Sequence, residues 1–327
     1  MKLAGGAHLT YCSNIHPGET WPEVNEVVRT QVAAVKRRFC PDAPFGIGLR
    51  LSGRASEELA RPGELDAFAD MLASLGMYVF TINGFPHGSF HGVRVKEHVY
   101  QPDWTSDERL AYTDRLAAQL ARLLPDGIEG SVSTVPGGFR PAFVGVDSVD
   151  ARAGRERVAH QIARHAAGLH DLRRRSGKIV RLAIEPEPFC MVETTAEAIR
   201  FFEDDLFAPS SLGVFSRRTG VAAAAAEALI REHVGVCFDA CHSAVVFEDP
   251  RLALASLSRA GIRVPKIQVT TALEARGADA FASLARFVDE VYLHQVFERR
   301  PGAGGDARYL DLPQALARRG RAAGDED

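Results

Sequence analysis

The feature that most constrains this chain is a pattern repeated along it, in which a short apolar run gives way to a longer stretch with helical spacing. The runs of strand length are "GAHLTYC", "FGIGLRLS", "YVFTING", "GSVSTVPG", "RLAIEPEP", "GVCFDACH", "PKIQVTTA" and "VYLHQVF". Between them, "ELDAFADMLASLG" puts Leu65, Phe68, Leu72 and Leu75 on one helical face. "SDERLAYTDRLAAQLARLLP" does the same with Leu110, Thr113, Leu116, Leu120 and Leu123, and Ser106 is placed to cap it. "RVAHQIARHAAGLHDLRRRSG" ends in Arg173, Arg174, Arg175 and a glycine, as helix C-termini prefer. Strand–helix alternation of this kind builds a parallel sheet covered by helices. Eight strand candidates without a break in composition predict an α/β fold of the (β/α)8 TIM-barrel type. No G-x-G-x-x-G follows the first run, which argues against an open dinucleotide-binding sheet.

The same reading predicts one barrel domain over residues 1–316 and a polar, disordered tail over 317–327. Two segments exceed the minimal repeat. Residues 84–104, rich in His, Gly and aromatics, form a long connection at the C-terminal face of a barrel, where lids and binding loops lie. "SLGVFSRRTGVAAAAAEALIREH" adds an alanine-rich helix before the sixth run. The eighth run has two readings: the closing strand, or half of a hairpin that leaves the barrel one strand short.

The 327 residues carry a formal net charge of -3 and 46% hydrophobic residues, which fits a well-cored protein and gives nucleic acid no electrostatic attraction. The five cysteines are scattered with no C-x-x-C, as expected of reduced thiols, and no apolar run reaches the roughly 20 residues of a membrane span. With no signal-like N-terminus, a cytoplasmic location is expected.

In a barrel, side chains at strand C-terminal ends point into the mouth. Here those positions hold His8, Asn14, Arg50, Asn83, Ser133, Thr134, Glu185, Asp239 with His242, Gln268, and His294. Glu185, Asp239, His242 and His294 suit a divalent cation such as Mn²⁺, Mg²⁺ or Zn²⁺. In "IEPEP", Pro186 and Pro188 stop the strand and hold the backbone extended, so Glu185 and Glu187, two residues apart, can face the mouth together. The plainer alternatives are a solvated turn for "IEPEP", a helix cap for Asp239, a loop residue for His242, water contacts for His87 and His91, and small buried hydrophobes for Cys12, Cys190, Cys237 and Cys241.

These residues resemble the xylose-isomerase-like TIM barrels, a superfamily of sugar isomerases and epimerases, inosose dehydratases and metal-dependent AP endonucleases. More narrowly, "HLTYCSNIHPGETW", "YVFTINGFPHGSFHG", "VKEHVYQPDW" and "LAIEPEP" look like the EboE-type metabolite-traffic proteins, over most of residues 7 to 313. The superfamily pattern implies a metal held by a Glu after strand five, an Asp after strand six, a His after strand seven and a carboxylate after strand eight. Glu185 and Asp239 match the first two, and His242 matches the substrate-side His of D-x-x-H. Gln268 stands at the third position, and His294 is the nearest donor at the fourth. The narrow resemblance implies handling of a secondary-metabolite precursor alongside a membrane prenyltransferase-like partner, and leaves a homo-oligomer open.

Two functions follow. In the first, a sugar phosphate isomerase or epimerase, Glu185 takes a proton alpha to a carbonyl. A metal on Glu185, Asp239, Gln268 and His294 stabilises the enediolate, and His242 holds a hydroxyl. Arg50 or Lys96 would hold an anionic group, with Asn83 and Glu187 as further substrate contacts. In the second, the same mouth binds or carries a small-molecule intermediate without chemistry. Phosphodiester cleavage would need more metal ligands and a basic face than this chain offers.

Overall fold

In the computed structural model, which describes residues 1–91, 94–143, 149–277, 279–300 and 305–322, seven of the runs become one parallel sheet. The strands are β1 (Thr10–Cys12), β2 (Phe45–Arg50), β3 (Met77–Asn83), β4 (Gly130–Thr134), β5 (Val180–Ile184), β6 (Val234–Asp239) and β7 (Arg263–Gln268). Each pairs in parallel with the next, in chain order. Sequential parallel pairing with helical crossovers is TIM-barrel topology, here an incomplete barrel. The sheet curls far enough for β7 to approach β4: Lys266 Nζ crosses the interior to donate to Ser133 Oγ at 2.9 Å. β6 and β7 approach so closely at their shared bulge that a Cβ on Gly235 would lie 2.4 Å from the Arg263 carbonyl oxygen.

The helical faces read from spacing are the buried ones. Ser106 accepts from the Glu108 backbone N–H and caps the helix Asp107–Leu123, whose Leu110, Thr113, Leu116, Leu120 and Leu123 are buried. Phe68 and Leu72 of the helix Glu64–Ser74 enter the same core, with Leu65 and Leu75 packed at its margin. The basic helix end closes at Ser176, followed by Gly177 with φ 70°. The alanine-rich insertion forms the helices Pro209–Thr219 and Ala223–His233.

The eighth run does not join the sheet. β8 (Val296–Glu298) instead pairs antiparallel with β9 (Ala307–Tyr309), the hairpin alternative, followed by the helix Leu312–Ala322. Residues 317–322 of the expected tail are therefore helical, and 323–327 lie outside the described residues. Among the described residues β7 pairs only with β6, and its edge exposes Ile267 and, just beyond, Val269.

The segment from Asp289 to Asp311 lies across the C-terminal face and is tied to the long connection after β3. Buried Lys96 donates three 2.7 Å hydrogen bonds, to the Asp289 and Tyr292 carbonyls and to Asp311 Oδ2. The Val95 and Lys96 N–H groups both reach the Val291 carbonyl, and the Tyr292 hydroxyl reaches the Phe90 carbonyl. Lys96 is thus the pin of a roof. Lys96→Met removes the cation paired with the half-buried Asp311 carboxylate and the donor to two carbonyls, and should cost about 3 kcal/mol. That loss is read as a lower urea midpoint, with faster proteolytic cutting between 289 and 311.

Candidate functional site

Proline placement ends β5 as expected, and Glu185 leaves the strand 5% exposed. Its neighbour across the sheet is the last residue of β6, Asp239, 7% exposed. Gln268, the last residue of β7 and in register with Asp239, joins them. Its Nε2 donates to Glu185 Oε1 and to Asp239 Oδ2, each at 2.6 Å. Asp239 Oδ1 accepts from the Thr270 hydroxyl and, at 2.9 Å, from the Cys241 N–H, so the same carboxylate also caps the short helix Ala240–Val245. His242 lies on that turn with Nδ1 3.8 Å from Glu185 Oε1 and 3.1 Å from the Pro186 carbonyl oxygen.

Two carboxylates this close, with little water, cannot both stay charged at no cost. Burial pushes the Glu185 carboxyl up to about 7, with the Asp239 charge adding to the rise and His242 and Lys266 opposing it. Burial acts upward on Asp239 too, but His242 and the bonds from Thr270 and Cys241 outweigh it and hold Asp239 below the ordinary range. Burial would lower His242, yet Glu187, Asp239 and Glu185 together raise it. The arrangement is one carboxyl that titrates near neutrality, one fixed anion, and one imidazole biased toward its cation, the separation of roles found in acid–base sites.

Glu187 faces the interior as the two-residue spacing predicts, where its Oε1 accepts from the Tyr100 hydroxyl at 2.8 Å and from Gln295 Nε2 at 3.1 Å. Burial raises its carboxyl above the usual range. The other expected members are placed elsewhere. His294 turns away: its Nδ1 donates to the Phe287 carbonyl at 2.6 Å, and its neighbour Gln295 is the residue that enters the site. Arg50, 2% exposed, forks onto Glu19 at 3.0 and 2.8 Å and also bonds the Gly18 and Gly88 carbonyls, so its charge is spent on the β2 end and the long connection. Asn83 Oδ1 accepts from the Phe85 N–H, shaping the turn after β3. Lys96 pins the roof. The charges of Arg50 and Lys96, the two expected to meet an anionic group, are thus paired with Glu19 and Asp311.

Sequence reasoning missed Tyr100, Gln295 and Lys266. Tyr100 and Gln295 come from irregular segments and carry no local signal. Lys266 sits two residues before Gln268, and alternation along a strand puts both on the same inner face. Of the thiols read as buried hydrophobes, Cys190 and Cys237 are buried, while Cys12 and Cys241 are partly exposed. A cleft of about 250 Å³, counting space open to solvent, reaches Asp239 and Ser243 past Glu193 and Glu248. Its enclosed space is only about 10 Å³, room for one water-sized molecule.

Metal-ligating geometry is present in the donors themselves. One ligand atom each from Asp239, Cys241 and His242 lies within 4.8 Å of the others. Glu185, beside them, has one buried oxygen, Oε2, with no hydrogen-bond partner. These residues fit a divalent cation.

No family model matches the sequence, and no curated protein matches it. Solved structures similar to the chain are xylose-isomerase-like TIM-barrel proteins. The IolI protein with a bound zinc atom is 14% identical, over 77% of this chain and 68% of its own, with a TM-score of 0.40. A probable 3-DHS dehydratase, AsbF, involved in petrobactin synthesis in Bacillus anthracis, is 11% identical over 77% and 69%, with a TM-score of 0.39. A xylose isomerase-like TIM-barrel protein from Mycobacterium smegmatis in complex with magnesium is 14% identical over 94% and 87%, with a TM-score of 0.39. The fold assignment rests on the strand order itself.

The titration of Glu185 has a stability signature. Between its ordinary 4.5 and about 7 the folded chain holds this proton while the unfolded chain releases it. Its contribution is therefore complete below the unfolded value and is lost as pH rises through the folded one. At about 1.4 kcal/mol per pH unit the loss amounts to about 3 kcal/mol. Glu185→Gln escapes it. Relative to the unaltered chain, the variant should gain about 2–3 kcal/mol between about pH 5 and about pH 8 in denaturant melts. An equal difference at both pH values would contradict the buried, near-neutral carboxyl.

Proposed function

We propose that this chain is a metal-assisted isomerase or epimerase of a small, hydroxylated carbonyl compound of the sugar-phosphate type, with Glu185 as the proton acceptor. The observation that carries the reading is the Glu185 carboxyl, held near 7 by burial while Asp239 beside it stays ionised. A base poised near working pH takes and returns a proton with least waste.

Oε2, the oxygen that Gln268 leaves free, is in this reading the atom that takes a proton from carbon. Asp239, His242 and Gln268, with Glu185 beside them, would hold a divalent cation. Such an ion, when bound, polarises the substrate carbonyl and offsets the negative charge that develops on it. His242, with its Nδ1 proton committed to the Pro186 carbonyl, keeps its Nε2 lone pair for that ion. Glu187 and Gln295 offer further polar contacts below the roof, and Lys266 is the lysine whose charge acts on Glu185, in place of Arg50 and Lys96. In this reading the substrate belongs to a secondary-metabolite precursor route, and the membrane prenyltransferase-like partner is part of the same proposal.

A second reading, metabolite binding or traffic without chemistry, is favoured by one feature. The roof is bonded into the site itself through Gln295 to Glu187 and Tyr100. One assay separates the two. The metal-loaded protein is mixed in deuterium oxide with a panel of aldoses, ketoses and their phosphates, and loss of the alpha proton is followed by NMR. Exchange with at least one member, reduced roughly 10²–10⁴-fold by Glu185→Gln, is expected. Tight binding of a panel member with no exchange would favour the carrier.

A further inference from the structure

The proposed metal site has a donor that a carboxylate–imidazole scheme leaves out. We propose that Cys241 is a thiolate ligand of this site, alongside Asp239 and His242, and that the site therefore selects a borderline cation, zinc above all, over magnesium or manganese. The inference rests on the reading that this centre holds a metal and goes beyond it in naming the ligand and the class of ion.

The geometry comes from one turn. Asp239 ends β6, and Cys241 and His242 follow two and three residues later, so one turn presents an oxygen, a sulfur and a nitrogen. One atom from each already lies within 4.8 Å of the others. A tetrahedral zinc with bonds of about 2.0–2.3 Å keeps its donors roughly 3.5 Å apart. The group therefore closes on an ion with movement of about an ångström, taken up mainly by the partly exposed Cys241 against a fixed Asp239.

The backbone is already fixed for this. The Cys241 N–H donates to both Asp239 Oδ1 and Thr270 Oγ1 at 2.9 Å, which orients the turn. The imidazole is oriented as well. A carbonyl oxygen can only accept, so His242 Nδ1 carries the proton shared with Pro186, and Nε2 keeps the lone pair a metal needs. Fixing of the non-ligating ring nitrogen by a carbonyl is the usual support for a metal-bound histidine. Beside the turn, Glu185 keeps one buried oxygen, Oε2, unpartnered, while its other oxygen is joined through Gln268 to Asp239.

The donor chemistry then decides the ion. Magnesium and manganese favour oxygen ligands in octahedral array, whereas a sulfur, a nitrogen and an oxygen on one short turn suit a four-coordinate zinc. With three protein donors, the fourth position of such an ion is left exchangeable for water or substrate, with Gln268 and Glu185 standing near.

Cobalt(II) reports the ligand directly. The metal-free full chain is titrated with cobalt under reducing, anaerobic conditions, in unaltered form and as Cys241→Ser, with Cys40→Ser as a thiol control. The unaltered chain and Cys40→Ser should show the intense near-ultraviolet thiolate-to-cobalt charge-transfer band, displaced by stoichiometric zinc and not by millimolar magnesium. Cys241→Ser should lose that band and bind zinc at least about tenfold more weakly. His242→Gln, a second variant in case Cys241→Ser fails to fold, should keep the band while weakening binding. Cobalt bound without the band, or a band that survives in folded Cys241→Ser, overturns the thiolate and leaves the metal reading of the site standing. No cobalt bound at all overturns both.

Discussion

Gln268 holds together two groups that would otherwise repel. Glu185 and Asp239 stand at adjacent strand tips with almost no water, and one amide nitrogen donates to both at 2.6 Å. A neutral donor joins the carboxylates without cancelling their charge, so the charge must be managed in other ways. Asp239 collects the hydroxyl, the backbone N–H and the attraction of His242, and Glu185 takes the proton. The sorting into fixed anion and titrating acid follows from unequal hydrogen bonding of two chemically alike groups. The strands bring them to one place, and the turn after β6 makes them different.

The sheet around them is curled but not closed. Where an eighth strand would bridge β7 and β1, backbone pairing stops, and side chains carry the curl through the Lys266–Ser133 bond across the interior. The residues that could have closed the sheet are used on top of it. Gln295, Tyr292 and Arg308 anchor the hairpin segment to Glu187, Phe90 and Glu193, and Lys96 is buried beneath it. Closure at the side has given way to closure at the mouth.

Much of this was legible in the residues. Seven strands and the helical faces followed from short apolar runs and 3.6-residue spacing, which report local burial faithfully. Glu185, Asp239, His242 and Gln268 followed from the rule that strand C-terminal ends line a barrel mouth. The rule cannot say whether a polar strand end is already satisfied. Arg50 and Lys96 look like anion-binding residues until Glu19 and Asp311, far along the chain, are seen to hold them. The last strand was ambiguous because "VYLHQVF" is apolar enough for a sheet, yet its end pairs with the nearby β9, Glu298 opposite Ala307, instead of closing on β7 and β1. His294 and Gln295 show how fine the distinction is, since a shift of one residue exchanges the ring that turns away for the amide that enters.

The roof also has a consequence in time. Its fastenings join residues such as Lys96 and Asp311, 215 positions apart, while the site residues lie between Glu185 and Thr270. During synthesis the chain emerges N-terminus first, so all seven strands and the turn that bears Asp239 and His242 leave the ribosome before the covering segment does. A newly made barrel therefore presents its acid cluster to the surrounding solution until the last part of the chain arrives. Whatever the site must acquire from that solution can enter before the cover is in place.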